Sequence, residues 1–463
     1  MAEAKFTHGN LMQHVAVMSF TTSMGLLTLF AVDFVDMIFI SMLGNDALAA
    51  AVGYAGTLLF FTNAINIGLS IAARTLVARS LGADDDRSAR EHATSVAIAA
   101  VLIGIITPII TLLYLEELVG LLGATGDAKM LAVEYISIII PSMAVMGLAM
   151  GAMAVLRAYG DAKRSMLATL IGGIVNAVLD PVFIFVFDWG LSGAAYASLA
   201  ARFTMLAVAF IAVIWRYNAY ARPSLGLIKR DAKAVLALAG PAVLTNVATP
   251  VGSAIMTREI AKYGTEAVAG MAVIGRLTPV AFSVMFALSG AIGPIIGQNA
   301  GAGLIDRVRG AFSAGLKFMG IYVLVVSALL FVLRAPIAGM FNAQGETLTL
   351  IYLFCGPLAL MVYFNGVVFT SNAVFNNLGH PIYSTWINWG RHSIGTWVPI
   401  MIFSSFWGAA GVLIGQAVGG VLFALVAYVL VQRVIAESGP SVDSSCKFTP
   451  QQRIHMLFAR GRW

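Results

Sequence analysis

From Gly408 to Gln432 the chain reads GAAGVLIGQAVGGVLFALVAYVLVQ, without one Asp, Glu, Lys, Arg or His. An α-helix rises about 1.5 Å per residue, so a run of this length covers the roughly 30 Å hydrocarbon core of a bilayer. Working outward, apolar runs of similar length recur along the whole chain. The composition agrees with that reading. Of 463 residues, 59% are hydrophobic and 11% are charged, whereas a soluble domain carries about 25% charged residues. Most of the surface therefore has no water to face, and no soluble domain remains to be accounted for. The fold class expected is all-α, a polytopic membrane protein.

Twelve spans are expected, at 13–42, 47–74, 92–115, 130–156, 164–187, 191–215, 235–262, 267–296, 310–333, 347–375, 382–403 and 408–432. Lysine and arginine set the orientation, because cytoplasmic loops retain them. With the N-terminus inside, twenty of the 28 fall in cytoplasmic segments, from Lys5 to Arg462. Lys129, Arg258, Lys262 and Arg334 fall outside, and Arg202, Arg276, Lys317 and Arg391 lie within spans. The expected placement is the cell (inner) membrane, with both termini cytoplasmic. The net charge of +6 is then a topology signal. No basic stripe interleaved with aromatics appears, so no nucleic-acid partner is expected. Residues 1–10 lack the basic n-region and short apolar h-region of a removable signal peptide. Cys355 and Cys446, the only cysteines, suggest neither a disulfide framework nor a metal site.

The halves resemble each other at an offset of 220. Leu43-Gly44-Asn45-Asp46-Ala47 falls on Tyr263-Gly264-Thr265-Glu266-Ala267, and Asp86-Arg87 falls on Asp306-Arg307. At an offset of 219, Gly160 falls on Gly379; near there, Trp189-Gly190 and Trp407-Gly408, 218 apart, each introduce the last span of a half. Apolar sequence gives accidental identities, but polar markers in matching loops at near-constant spacing argue for duplication. Six spans per half preserve orientation, so the repeats should be related by an axis along the membrane normal, a transporter architecture. The expected division is an N-terminal lobe at 1–216, a basic cytoplasmic linker at 217–234, a C-terminal lobe at 235–435 and a cytoplasmic tail at 436–463.

An ionisable group in hydrocarbon costs at least a few kcal/mol and is a functional candidate by default. Span 1 carries Asp33 and Asp36, three apart on one helix face. Two close carboxylates in low dielectric do not both ionise easily, which suits proton binding and release. A hydrogen bond to a neighbouring helix is the structural alternative for Asp33. Span 5 carries Asn176 and Asp180, four apart, followed by Pro181. The proline should distort the helix and free carbonyls. The resulting oxygen-rich site suits a proton or Na⁺, with Asp36, Asn176 and Asp180 as possible Na⁺ ligands. The second half has no matching acids, since Asp180 aligns with Pro399. Arg202, Arg276 and Arg391 are candidates for lobe bracing or the substrate pathway. Arg202 has two readings, pairing with Asp180 or snorkelling to the interface.

At this point the residues resemble the multidrug and toxic compound extrusion (MATE) family, over about residues 10–435. Three stretches carry the resemblance. Asp36-Met37-Ile38-Phe39-Ile40-Ser41-Met42-Leu43-Gly44 is similar to the family's first-span Asp running to a Leu-Gly turn. Gly297-Gln298-Asn299-Ala300-Gly301-Ala302, then Arg307 and Arg309, resembles the loop after span 8. Asn176-Ala177-Val178-Leu179-Asp180-Pro181, then Gly190 to Ser198, resembles the span 5 and 6 signature, in its DinF-like form. The resemblance implies a twelve-span, two-lobe antiporter that expels organic cations and other drugs in exchange for H⁺ or Na⁺, and no organic cofactor. It also implies a cation site from Asp36, Asn176, Asp180 and Ser198, where serine replaces the family's threonine. Two departures stand out. Thr21 occupies the usual place of a first-span proline, and Asp33 is additional to the pattern.

Expected partners are small, cationic or amphipathic substrates and the bilayer, with the chain a monomer. The alternative function is a flippase for lipid-linked precursors or polysaccharides, which should need a strongly cationic cavity. An intramembrane enzyme is not expected, because His380 and His392 lack the spacing of metal ligands or of a nucleophile and its base.

Overall fold

A computed structural model describes residues 4–43 and 46–439. The loop markers Gly44 and Asn45, and the tail from Pro440 with Cys446, Lys447, Arg453, Arg460 and Arg462, lie outside the described residues. The described chain is helical and contains no strand.

Seven long helices cover most of the path as far as residue 260, with a short helix at Leu115–Leu121 between the third and fourth: α1 (Leu11–Met42), α2 (Asp46–Gly82), α3 (Asp86–Leu113), α4 (Gly126–Ala158), α5 (Ala162–Val186), α6 (Gly190–Tyr217) and α7 (Leu225–Ile260). Next come α8, bent by 44° between Thr265–Ala281 and Ser283–Gly301, α9 (Ile305–Met340) and α10 (Gly345–Asn377). The remaining helical run, Pro381–Glu437, has 57 residues. At about 1.5 Å per residue it is more than twice the length of one crossing. It folds back at Trp407 and Gly408, where Gly408 has φ 56° and ψ −134°. A Cβ added at Gly411 would meet the Phe403 carbonyl, and at Gly415 the Ile400 backbone. Those contacts require an antiparallel hairpin, so the run is two spans, α11 (381–406) and α12 (408–437). The described residues thus form twelve spans.

The repeat is visible in the backbone. Helices begin at Asp46, Asp86, Gly126 and Ala162, and again at Thr265, Ile305, Gly345 and Pro381, each 219 later (265 − 46 = 381 − 162 = 219). Turn conformations repeat with them. Asp84, Gly123, Gly126 and Gly160 have positive φ, as do Gly303, Asn342, Gly345 and Gly379. The left-handed region excludes most side chains, so such turns are marked in sequence. The Gly160–Gly379 match and the Trp-Gly pairs are instances. The polar loop markers, read at 220, run one residue off the register of the helices.

The chain forms two compact units. Among the described residues, one comprises Met24–Leu81 and Asp85–Val243; the other comprises Ala4–Ser23, Gly82–Asp84 and residues 244–439. The division falls within α1 and α7, and the segment expected as a linker is helical from Leu225. Its charges are anchored on α3 of the first unit. Arg230 donates to Glu91 and Asp231, both at 2.7 Å, and Ser95 donates to Asp231 at 2.7 Å. In the second unit the Gln298-Asn299 motif has a structural task. Gln298 accepts from the Phe6 amide at 2.8 Å, and Asn299 and Arg307 both donate to the Phe6 carbonyl at 3.1 Å. These side chains satisfy backbone groups of the amino-terminal segment that no helix pairs.

Candidate functional site

In the first unit α1 and α5 lie close because both carry glycine at the seam. A Cβ at Gly25 would lie 3.5 Å from Thr169 Oγ1, and one at Gly173 would lie 2.7 Å from Thr28 and 3.1 Å from Val32. The contacts advance together along both helices. Continued another turn or two, this seam brings Asp36 to Asp180. The two carboxyls face each other within hydrogen-bonding reach. Asp180 is fully buried and Asn176, one turn before it, is 6% exposed. Directly after Pro181 the helix widens to a π-turn over Val182–Val186, the distortion expected from the missing proline N–H.

Ionised carboxylates only accept hydrogen bonds. Neither Asp180 oxygen finds a donor, and neither does Asp36 Oδ1; the Asn176 amide nitrogen also lacks an acceptor. Buried polar atoms are normally satisfied, so an orphaned group invites a functional account. A proton or a small monovalent cation between the carboxyls would remove their repulsion and satisfy those oxygens. The donor set is oxygen-rich, as Na⁺ requires. No group of three His, Cys, Asp or Glu side chains suited to a transition metal occurs among the described residues.

Tyr135 completes the cluster. Its hydroxyl lies within hydrogen-bonding reach of Ser198 on α6, with Asp36, Asp180 and Arg202 as charged neighbours. Sequence reading missed it, because a tyrosine inside an apolar span has no distinctive spacing. Arg202 does not take Asp180 as its partner. It donates to Ser142 Oγ at 2.7 Å and the Ile139 carbonyl at 3.4 Å, where α4 is broken by the turn Ile140–Ser142 around Pro141. Asp33 is exposed on α1, with Asp36 as a charged neighbour.

Arg276 and Arg391 belong to the second unit. Arg276 is exposed on α8. Arg391 is buried, at 8% exposure, donating to Asn365 Oδ1 at 2.9 Å and lying 2.7 Å from His392 Nε2. Since a guanidinium only donates, His392 Nε2 must accept. The structure thus assembles Asp36, Asn176, Asp180, Ser198, Tyr135 and Arg202 in one unit, and places Arg391 in a separate polar core.

Two six-helix halves in tandem, with ionisable groups buried in mid-span, define a membrane transporter. The chain belongs to the MATE family: the MatE family model matches residues 22–182 and 241–398. Members of that family are multi-pass transporters of small molecules, not enzymes. The chain is 25% identical to a FAD transporter of Shewanella oneidensis over 431 residues, covering 90% of this chain and 93% of the relative. It is 22% identical to the multidrug export protein MepA of Staphylococcus aureus over 440 residues, covering 92% and 96%. Among solved structures, a mutant of the Vibrio cholerae MATE transporter VcmN matches with TM-score 0.88 at 24% identity, over 92% of this chain and 97% of that one. A Pyrococcus furiosus transporter of the MOP superfamily matches with TM-score 0.86 at 22% identity, over 95% and 99%. These two likenesses establish the fold.

Proposed function

We propose that this chain is a secondary antiporter, expelling organic cations and amphipathic drugs in exchange for H⁺ or Na⁺ by alternating access. The observation that carries the reading is the facing pair Asp36 and Asp180, whose unpartnered oxygens suit reversible occupation by a proton or Na⁺. Asn176 and Ser198 supply further oxygens. Occupation would change the packing of α1 on α5 and so couple the ion to substrate release. The S. aureus relative, a multidrug export protein, favours drug-like substrates. The S. oneidensis relative favours a second arm, in which the cargo is a flavin dinucleotide. An inner-membrane placement with both termini cytoplasmic fits the distribution of Lys and Arg; we take the chain to act as a monomer.

The test is efflux from proteoliposomes under separate pH and Na⁺ gradients, with an organic cation and with FAD as cargoes. One gradient should drive export by the wild type, and Asp180→Asn should abolish that drive. Wild-type rates in Asp180→Asn under the imposed gradient would overturn the proposal.

A further inference from the structure

A second acidic side chain lies within a spanning helix of the first unit, away from the Asp36–Asp180 pair. Glu134 stands eight residues into α4, which begins at Gly126, so it lies about 12 Å along the helix. It is exposed. Its Oε1 accepts a hydrogen bond from Ser192 Oγ at the start of α6. A groove of about 700 Å³ opens beside it, lined by Phe183, Trp189, Tyr196 and Phe203. The aromatic wall is continuous, with Trp189 ring centroids 5.3 Å from Phe183 and 5.6 Å from Tyr196. The π-turn after Pro181 and the α5–α6 turn build this wall. The Trp189 amide donates to the Phe183 carbonyl at 3.1 Å, which folds the indole back over the groove.

We infer that this groove is a binding site for a hydrophobic monocation, an ammonium or phosphonium on an apolar body. Cations are attracted to aromatic faces, most strongly where water is excluded. One carboxylate supplies the matching charge, and Ser192 fixes its position. No Lys, Arg or His is among the residues that line the groove, so a zwitterionic lipid would find no partner for its phosphate. One carboxylate and one hydroxyl are too few oxygens for a divalent metal ion. The volume suits a drug-sized molecule.

The test is photolabelling of the full-length protein in nanodiscs with a photoactivatable arylphosphonium, mapped by mass spectrometry. Tetraphenylphosphonium and its anionic isostere tetraphenylborate serve as competitors. Adducts should fall within residues 183–203 and be suppressed by the phosphonium but not by the borate. Glu134→Gln should reduce labelling there at least fivefold, with Glu134→Asp in between. Asp180→Asn should label like the wild type, which separates this site from the transport reading. If Glu134→Gln does not fold, Tyr196→Leu, on the exposed aromatic wall, should lower labelling about threefold. Absence of adducts in 183–203, equal competition by the borate, or full labelling in the folded Glu134→Gln or Tyr196→Leu protein would overturn the inference.

Discussion

The carboxyl of Asp36 on α1 faces the carboxyl of Asp180 on α5 within hydrogen-bonding reach. Two acceptors cannot bond each other unless a proton or cation lies between them, so the pair acts as one unit. Asp36→Asn and Asp180→Asn should each abolish ion-driven exchange, and the double variant should be no worse than either single one. Rates of counterflow in proteoliposomes measure this. Losses that multiply in the double variant would mean two independent sites.

Tyr135 reaches the same site through its hydroxyl, while its ring packs in the core beside it. Tyr135→Phe keeps the ring in its packing and removes the group beside Ser198. A hydrogen bond of this kind contributes about 1 kcal/mol, so exchange should slow roughly fivefold without loss of folded protein. An unchanged pH or Na⁺ dependence of the rate would show that Tyr135 does not sense the ion.

Apolar length and charge placement made the spans readable. The stretch 191–215 became Gly190–Tyr217, and 130–156 became Gly126–Ala158. Asp36 and Asp180 were legible because a carboxylate in hydrocarbon needs a reason. Less was visible where the cause is a contact between helices. One partner of Arg391 is Asn365, 26 residues away, and no periodicity links them. Arg230 read as linker charge, whereas Glu91 and Asp231 offset it in the fold. Glu134 also passed unnoticed, because its meaning comes from aromatic rings on the α5–α6 turn.

At the turn between α4 and α5, outside the spans, Asp161 caps a helix. It accepts from the Arg164 amide at 3.1 Å and from the Tyr217 hydroxyl at 2.8 Å, and pairs with the Arg164 guanidinium. Burial acts to raise this carboxyl, but those donors outweigh it and hold it below the usual carboxylate range. An acid so depressed adds stability above its unfolded value of about 3.9, and that stability is lost as pH falls through the lower folded value. Asparagine caps a helix about as well as aspartate, so Asp161→Asn removes only the charge at the helix N-terminus and should lower Tm at pH 7 through the loss of about 0.3–1 kcal/mol. The difference from the wild type should shrink below about pH 4. A Tm gap that stays constant down to pH 3 would assign the loss to packing instead.

The seam between α1 and α5 gives the sharpest test of how the site is positioned. A Cβ at Gly173 would come within 2.7 Å of the Thr28 methyl, closer than carbon atoms approach without a shift. Alanine asks for a small rotation of Thr28, but leucine requires α1 to move away. Because Asp36 lies two turns beyond Thr28 on the same helix, that movement carries its carboxyl from Asp180. Gly173→Ala should retain most exchange, and Gly173→Leu should lose at least tenfold while touching no carboxylate itself. Thr28→Ala removes the methyl that the added Cβ meets first, so in combination it should restore part of the Gly173→Ala loss and little of the Gly173→Leu loss. Full exchange in a folded Gly173→Leu protein would mean that α1 need not stay on α5, and that the contact between Asp36 and Asp180 is not what couples the ion to transport.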